Sequence, residues 1–579
     1  MIRSSVNLNR EWRFHRGELP TAAAASVAFD DAGWQRVGLP HAFDLPYFRT
    51  PEFYVGPGWY LRAFAIPSDP APGHCRWALE FDGVFQSTEV FVNGRSVGEH
   101  HGGYTAFSLD ITGAVHAGEN VLAVRVDNTW RAALAPRAGE HVFGGGIYRD
   151  VRLVRRAPVA VPWCGLRVKT PNVTATAAGV QVTATAHNTG AHSADATVTA
   201  RVFDPHDRAV AECHATLPVA TGETLDFDLP PQPVGRPALW HPDHPHLYRA
   251  VVEVCVNGAV VDRVQTHFGI RWFEWSAHNG FSLNGRRLYL RGANAHQDHS
   301  GWGIGITRSA CERDVRLMKE AGFNFVRGAH YPHHPAFADA CDRLGLIFWS
   351  ECVFWGKGGF GHEGYWNASA YPTDPTDFEP FEQSCLAQLE EMVRTHINHP
   401  SVVVWSMTNE AFFTYHLEHA RELMRRMVDA CRRLDPTRLT AIGGAQRGDV
   451  HRIADVAGFN GDGARLFIDP GVPNLVSEYG ALSKPHDAFE PFFGDLQTES
   501  FDWRGGEAIW CGFDYGSIAG RQGLKGIVDH QRVPKRSWHW YRRHLRGIEP
   551  PPALSNRPAA GLALSVDRTV IHGTDALED

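Results

Sequence analysis

The chain has 579 residues, a formal net charge of −8 and 21% charged residues, which is the composition of a large globular protein. At roughly 150 residues per domain, the length predicts about three or four domains. No basic stripe is present and no apolar stretch reaches the ~18 residues of a membrane span, so we predict no nucleic-acid partner and no membrane insertion.

Tryptophan is unusually frequent in the chain, which has 18 Trp against 14 Tyr and 6 Met. Indole rings often bind flat apolar faces such as that of a sugar, although Trp is also a core residue. The ten cysteines form no CxxC pair, so we expect reduced core thiols. The first residues lack a signal-peptide core, which predicts a cytoplasmic protein, or a periplasmic or secreted one if a leader was removed.

Residues 1–157 are predicted to form a β jelly-roll sandwich. Apolar residues alternate in segments 76–81 and 121–126, and Asn93-Gly94 between two β-like runs predicts a hairpin. No convincing helix is found there. Residues 158–268 contain further short alternating runs, which predict an immunoglobulin-like β-sandwich.

Residues 269–548 change to alternating strands and helices. Eight apolar runs over about 280 residues favour a (β/α)8 TIM barrel over a doubly wound sheet. The predicted strands are 288–293, 323–328, 346–351, 402–409, 438–442, 454–459, 474–478 and 507–513. Residues 549–579 begin with a Pro-rich linker, and either the first strand of a further β domain or a disordered tail can follow it.

Catalytic groups of such a barrel lie at the carboxyl ends of its strands. Glu410 directly follows predicted strand 4, while Glu478 ends strand 7 and Glu351 ends strand 3. A structural ion pair with an Arg is the alternative for any one of them, since a lone buried carboxylate is costly. Two carboxylates across one barrel mouth suit glycoside hydrolysis, with one protonating the leaving oxygen and the other attacking the sugar or activating water.

Other motifs are less specific. His330, His333 and His334 are candidate metal ligands. Their spacing in the sequence does not guarantee that the three rings point at one site, and we predict no metal. His296 follows strand 1 and is suited to bind a hydroxyl or to cap a loop. The sequence lacks a P-loop, an esterase GxSxG elbow and a dinucleotide fingerprint, and we predict no cofactor.

Many ordered motifs make the chain resemble glycoside hydrolase family 2, the family of β-galactosidases, β-glucuronidases and β-mannosidases. The resemblance runs from Leu8 to about Arg546 and implies a jelly-roll, an immunoglobulin-like domain and a (β/α)8 barrel. Its motifs include GPGWYLRAFAIP, FDGVFQSTEVFVNG, GGGIYRDVRLV, LNGRRLYLRGANAHQD, NFVRGAHYPHHPAFADACDRLGLIFWSE, NHPSVVVWSMTNE, VSEYG and KGIVDHQRVPK.

The resemblance also implies roles for single residues. The family mechanism is retaining, with Glu410 as acid/base, Glu478 as nucleophile and about 5–5.5 Å between the two carboxyls. The pKa of Glu410 should be raised by the nearby negative Glu478. The other implied roles are contact with the sugar 2-hydroxyl by Asn409, lining of the sugar site by His296 and His330, positioning of the nucleophile by Arg327, and an aromatic platform at Trp510.

Departures from the family pattern concern the substrate. Lys525 matches the Lys of the Asn-x-Lys pair that reads uronic carboxylates, but Gly523 stands at the Asn position. Trp355 and Lys357 stand at the magnesium-ligand positions of the large β-galactosidases, so we expect no such metal.

Two further departures lie at the predicted site. Glu140 stands where those β-galactosidases use an Asp to grip the sugar. Asp462 stands in the loop where many members have a Tyr that orients the nucleophile.

We therefore predict an exo-acting, retaining β-glycosidase that hydrolyses a glycoside or oligosaccharide, with β-galactosidase as the first choice. A β-glucuronidase or other β-uronidase is the alternative within the family, and a non-catalytic carbohydrate-binding protein is the rival from another class. The aromatic loop 354–378, with Trp355 and Trp366, either shapes the leaving-group side or packs against another domain. Family members are often oligomeric, which makes a homo-oligomer a further expectation.

Overall fold

The structure is a computed structural model that describes residues 2–26, 29–45, 53–67, 75–357, 363–365, 367–461, 467, 469–486, 501–518 and 521–551. Most of the predicted tail 549–579, together with Asp462 and Trp366, lies outside the described residues.

Two antiparallel sheets form the N-terminal sandwich, with strand orders β3-β2-β4-β9-β6-β7 and β1-β10-β5-β8. Asn93 and Gly94 both have positive φ and connect β6 to β7, which confirms the predicted hairpin. One short helix, α1, was not predicted. The elements are β1 (Ser4–Asn7), β2 (Trp12–Arg16), α1 (Thr21–Ala24), β3 (Gln35–Val37), β4 (Pro57–Ile66), β5 (Arg76–Phe81), β6 (Ser87–Val92), β7 (Arg95–His101), β8 (Phe107–Asp110), β9 (Gly118–Asp127) and β10 (Val151–Arg156).

A second sandwich follows, in which β12, β11, β16 and β17 pair with β13, opposite a sheet of order β15-β14-β20-β21. Its core is built from small and β-branched residues that alternate along β13, β14 and β20, as the sequence predicts. The strands are β11 (Val159–Ala160), β12 (Leu166–Lys169), β13 (Ala177–Asn188), β14 (Ala194–Phe203), β15 (Ala209–Val219), β16 (Thr224–Asp228), β17 (Gln232–Gly235), β18 (Trp240–His241), β19 (His244–Pro245), β20 (Tyr248–Val256) and β21 (Ala259–Phe268).

A small sheet leads into the barrel. Trp275 and Phe281 of this sheet pack against Leu290, Phe325 and Ile347 near the starts of barrel strands, so the amino-terminal end of the barrel is filled with apolar side chains. The sheet consists of β22 (Phe273–Ser276), β23 (Gly280–Leu283) and β24 (Arg286–Arg287).

Eight parallel strands close into a barrel in the order β25 to β32, which confirms the predicted fold. The third strand runs to Phe354, beyond the end predicted at Glu351, so Glu351 lies inside the barrel wall. The strands are β25 (Leu290–Ala295), β26 (Phe325–Gly328), β27 (Ile347–Phe354), β28 (Val402–Asn409), β29 (Leu439–Gly443), β30 (Val456–Asn460), β31 (Asn474–Tyr479) and β32 (Gly506–Ile509).

Four helices alternate with the first five barrel strands in the described part of the chain, and a fifth follows the last strand. A hairpin of β33 (Tyr515–Ile518) and β34 (Arg521–Gly523) extends from the carboxyl end of β32. The helices are α2 (Arg308–Glu320), α3 (Pro335–Leu344), α4 (Phe378–His396), α5 (Leu417–Leu434) and α6 (Arg536–Arg546), with a 3-10 turn at Pro375–Asp377.

The predicted core position of four cysteines is confirmed. Cys311, Cys341, Cys385 and Cys431 are buried thiols, and none of the ten cysteines forms a disulfide. In the described ranges, every helix is too short or too polar to cross a membrane.

Candidate active site

A fully buried ion pair lies inside the carboxyl end of the barrel. Arg327 of β26 donates from Nε to Glu351 Oε2 at 3.0 Å and from Nη2 to Oε1 at 2.8 Å. Ser406 and His330 also contact this carboxylate, and both partners of the pair are 0% exposed. Glu351 therefore has the structural role that the sequence left open as an alternative for each carboxylate.

The same guanidinium reaches Glu478. Its Nη1 donates to Glu478 Oε1 at 2.6 Å, and its Nη2 donates to Asn409 Oδ1 at 2.9 Å. The side chain of Glu478 is 16% exposed, so the carboxylate faces the opening while Arg327 holds it from inside the barrel. A charge-assisted bond of this length fixes the orientation of the carboxylate.

Glu410 follows β28 with a φ of 47°, and neutral amides bind its carboxyl. Gln446 Nε2 donates to Oε1 at 2.8 Å, and Asn460 Nδ2 donates to the same oxygen at 3.1 Å. A Cβ on Gly444 would lie 2.3 Å from Glu410 Cγ, so only glycine fits beside this side chain. Sequence reasoning missed Gln446 and Asn460 as partners, although both follow or end barrel strands, where functional side chains gather.

The pKa values of both carboxyls are raised. Burial is the main cause for Glu410, and the charge of Glu140 adds to it, whereas the sequence analysis expected Glu478 to be the cause. Burial is the main cause that raises the pKa of Glu478 to about 8. The positive charge of Arg327 opposes this rise, and the negative charge of Glu410 adds to it. The two carboxyls are therefore coupled, and the pair retains a proton near neutral pH.

Two histidines and a tryptophan line the wall next to Glu478. His330 stacks on Trp510 with ring centroids 5.1 Å apart, and its Nε2 lies 3.7 Å from Glu478 Oε1. His296 meets Trp510 edge-on at 5.2 Å, and its buried Nε2 has no hydrogen-bond partner among the described residues. Trp510 is only 2% exposed, so His330 covers much of the face that the sequence analysis assigned to a sugar.

A charged cluster connects the N-terminal sandwich to the barrel mouth. Lys525 Nζ lies 4.0 Å from Glu140 Oε1, and His296 Nε2 lies 3.9 Å from Glu140 Oε2. Tyr515 donates its hydroxyl to Glu140 Oε2 at 3.1 Å. A Cβ on Gly523 would lie 2.0 Å from the ring of Tyr515, so this ring fills the space of any larger side chain at position 523. Sequence reasoning did not single out Tyr515.

The aromatic loop after β27 is described in part. Trp355 lies against His330 with ring centroids 4.7 Å apart, and a Cβ on Gly139 would clash with its indole. Tyr365 packs on Phe143 of the N-terminal sandwich and donates its hydroxyl to the Asn128 carbonyl. This part of the loop packs against another domain, as the alternative interpretation held.

The three histidines of the AHYPHHP motif have separate partners. His330 Nδ1 contacts Glu351 at 2.8 Å, whereas His334 caps α3 by accepting from the Ala336 N–H. His333 Nε2 lies 3.5 Å from the Ala329 carbonyl, and burial lowers the pKa of His333 to about 3. The motif thus supplies one residue to the barrel mouth and two to the surrounding structure.

Comparison with known families gives a consistent result over most of the chain. The sequence matches "Glycosyl hydrolases family 2, sugar binding domain" over residues 7–157, "Glycosyl hydrolases family 2" over 166–271 and "Glycosyl hydrolases family 2, TIM barrel domain" over 277–459. The chain belongs to glycoside hydrolase family 2. The family's matches cover both sandwiches and the first six strands of the barrel, up to Phe459.

Relatives within the family have different names. A putative β-glucuronidase of Formosa agariphila is 31% identical over 76% of this chain and 51% of its own. A β-galactosidase of Bacteroides ovatus is 33% identical over 70% of this chain and 46% of its own, so the chain spans about half the length of both. The crystal structure of a Bacteroides uniformis β-glucuronidase superposes with a TM-score of 0.84 at 29% identity, covering 94% of this chain and 70% of that one.

Proposed function

We propose that the protein is an exo-acting, retaining β-glycosidase in which Glu478 is the nucleophile and Glu410 the acid/base. The observation that supports this most strongly is the unequal environment of the two carboxyls. A guanidinium lies 2.6 Å from Glu478, whereas Glu410 accepts hydrogen bonds from neutral amides. When two carboxyls have different surroundings, one binds a proton more tightly than the other, and this difference indicates which is the acid.

The two carboxyls titrate together, so the pKa of about 8 belongs to the pair rather than to Glu478 alone. In this proposal the proton that the pair retains lies on Glu410. The positive charge of Arg327 favours the ionised form of Glu478, because opposite charges within hydrogen-bond distance stabilise a carboxylate. Burial of Glu410 without a cation bonded to it favours the neutral acid. The resting pair then consists of an ionised nucleophile and a protonated acid.

The reaction proceeds in two displacements. Glu478 attacks the anomeric carbon, Glu410 gives its proton to the departing oxygen, and a covalent glycosyl–enzyme forms. Glu410, now ionised, takes a proton from water as the water oxygen attacks the anomeric carbon and releases Glu478. Asn409 is suited to bind the neighbouring sugar hydroxyl, because its Oδ1 accepts from Arg327 and Asn460, while its NH₂ group donates to no side chain or carbonyl of the described residues.

The charged cluster at the mouth supports a neutral sugar. Glu140 offsets the charge of Lys525 at 4.0 Å, so a uronic carboxylate would meet a negative charge beside the cation. Glu140 of the N-terminal sandwich also contacts Lys525, His296 and Tyr515, so this sandwich borders one side of the site, which supports cleavage at a chain end. We therefore propose a β-galactoside as substrate.

A β-glucuronide is the second candidate, and Lys525 is the observation that favours it. The Lys525 side chain is 31% exposed at the site, and relatives with both substrate names have similar identity to this chain. A purely carbohydrate-binding protein explains the site less well, since two buried carboxyls with raised pKa values weaken folding without helping recognition.

Hydrolysis of a nitrophenyl glycoside panel tests the proposal. Wild type should hydrolyse the galactoside, and Glu410→Gln and Glu478→Gln should each lose about 10³-fold or more in kcat. Glu391→Gln is a matched control, because Glu391 is a partly buried carboxylate that bonds His100 and Thr105 away from the mouth. Equal activity in all four proteins would refute the mechanism, and a preference for the glucuronide would refute the choice of sugar.

A further inference from the structure

A buried lysine lies directly behind the site. Lys484 is 3% exposed, and its Nζ donates to four backbone carbonyls. The acceptors are Gly480 O at 2.5 Å, Trp510 O at 2.8 Å, Lys525 O at 3.0 Å and Leu482 O at 3.1 Å. An ammonium group has three N–H bonds, so at least one of them is shared between two carbonyls.

These carbonyls belong to three separate segments of the barrel mouth. Gly480 and Leu482 follow β31, which carries Glu478, while Trp510 follows β32 and Lys525 follows the β33–β34 hairpin. One side chain thus joins the segments that present the nucleophile, the aromatic wall and the charged cluster. We propose that Lys484 is a positioning residue that holds these three segments in register for catalysis. The catalytic part of this inference rests on the proposed function.

The main chain of Lys484 is fixed as firmly as its side chain. Its N–H donates to Leu524 O at 2.6 Å, and its carbonyl accepts from Lys535 Nζ at 2.7 Å. Lys535 in turn forms an ion pair with Asp514 at 2.7 Å. Lys484 is therefore held at both ends, and its ammonium has little freedom to leave the four carbonyls.

A cation suits this position better than a neutral side chain. Four carbonyl oxygens converge on one point, and each carries partial negative charge that a buried apolar group leaves uncompensated. Burial lowers the pKa of Lys484 to about 8; Cys511 and Asp514 oppose this change, and Lys535 and Lys525 favour it.

Substitution with a matched control tests the inference. Lys484→Met keeps the apolar stem and removes the ammonium. Lys319→Met makes the same change at a lysine whose Nζ bonds two carbonyls, Pro242 O and Gly345 O, at the amino-terminal end of the barrel. We expect Lys484→Met to lower kcat/KM for the aryl glycoside about 10²-fold, as misplacement of reacting groups does, and Lys319→Met to stay within about twofold.

Two further readouts separate positioning from general stability. Hydrogen exchange should rise in segments 474–486 and 506–526 of Lys484→Met and remain at wild-type level there in Lys319→Met. Lys484→Ala purified with n-propylammonium, which replaces the missing stem and charge, should regain at least fivefold in kcat/KM, whereas tetramethylammonium should give no gain.

Equal kcat/KM losses in Lys484→Met and Lys319→Met, unchanged exchange in the two segments, or equal effects of the two amines would overturn the inference. Inactivity of wild type towards every aryl glycoside would instead contradict the proposed function. The exchange comparison would then still decide whether Lys484 holds the three segments.

Discussion

Arg327 and Glu478 are joined by a hydrogen bond of 2.6 Å between Nη1 and Oε1. The other guanidinium nitrogens bind Glu351, so a single planar group connects β26, β27 and β31. This connection sets the orientation of the proposed nucleophile from within the barrel. It also explains why a carboxylate as buried as Glu351 is tolerated, since its charge is compensated by a cation in bidentate contact.

Arg327→Lys keeps the positive charge but removes the planar guanidinium that bonds two carboxylates at once. We expect kcat/KM to fall about 10²-fold, because a lysine cannot hold Glu351 and Glu478 at the same time and the nucleophile loses its orientation. Steady-state kinetics on an aryl glycoside measures this. Arg3→Lys is the control, since Arg3 forms a similar fork with buried Asp262 in the sandwiches and its loss should leave kcat/KM unchanged.

The pH dependence should show an alkaline limb near pH 8. The raised pKa of Glu478, about 8, means that the carboxyl pair keeps its last proton below that pH and loses it above. Only the singly protonated pair has both a nucleophile and an acid, so kcat/KM should fall as pH rises through that value. In Glu410→Gln with a dinitrophenyl leaving group, which needs no acid, the alkaline limb should disappear. Persistence of the same limb in that variant would assign it to another group.

Glu140→Gln tests the charge balance at the mouth. Removing the anion leaves Lys525 without its partner at 4.0 Å, so the ratio of glucuronide to galactoside kcat/KM should rise about tenfold. The hydrogen bond from Tyr515 can be kept by the amide oxygen. The double variant with Lys525→Met should lose the gain. An unchanged ratio in Glu140→Gln would show that this pair does not select the sugar.

Gly444→Ala should impair Glu410 directly. Its φ is +61°, and the new Cβ would lie 2.3 Å from Glu410 Cγ, so the acid must move and kcat should fall about 10²-fold. Gly461→Ala is a matched control, since Gly461 has a φ of +50° and a Cβ there would have no atom of the described residues within 4 Å. Both variants share the cost of positive φ, about 1 kcal/mol, so comparing their melting temperatures and kcat values isolates the steric effect.

Much of this arrangement follows from sequence patterns. Period-two alternation and Asn-Gly turns predicted the sandwiches, and eight apolar runs predicted the barrel, because these periodicities reflect which faces are buried. Glu410 and Glu478 were identifiable as candidate site residues because they directly follow, or nearly end, buried strands. A charged residue at the carboxyl end of a barrel strand is typical of an active site.

Other features depend on contacts between distant segments. The partners of Glu410, namely Gln446 and Asn460, come from two further strands, and no local spacing indicates which side chain each will meet. The contact between Tyr515 and the backbone of Gly523 depends on the hairpin geometry. Lys484 was not singled out either, since a single Lys after a strand resembles any surface lysine until the four carbonyls are seen together.

Trapping of the covalent intermediate tests the central claim most directly. Wild type incubated with a 2-deoxy-2-fluoro dinitrophenyl galactoside, which forms the intermediate and hydrolyses it slowly, should gain the mass of one fluorosugar. Peptide mass spectrometry should locate that mass on Glu478, and Glu478→Gln should gain none. An active wild type that carries no adduct, or carries it on another residue, would contradict the proposed mechanism.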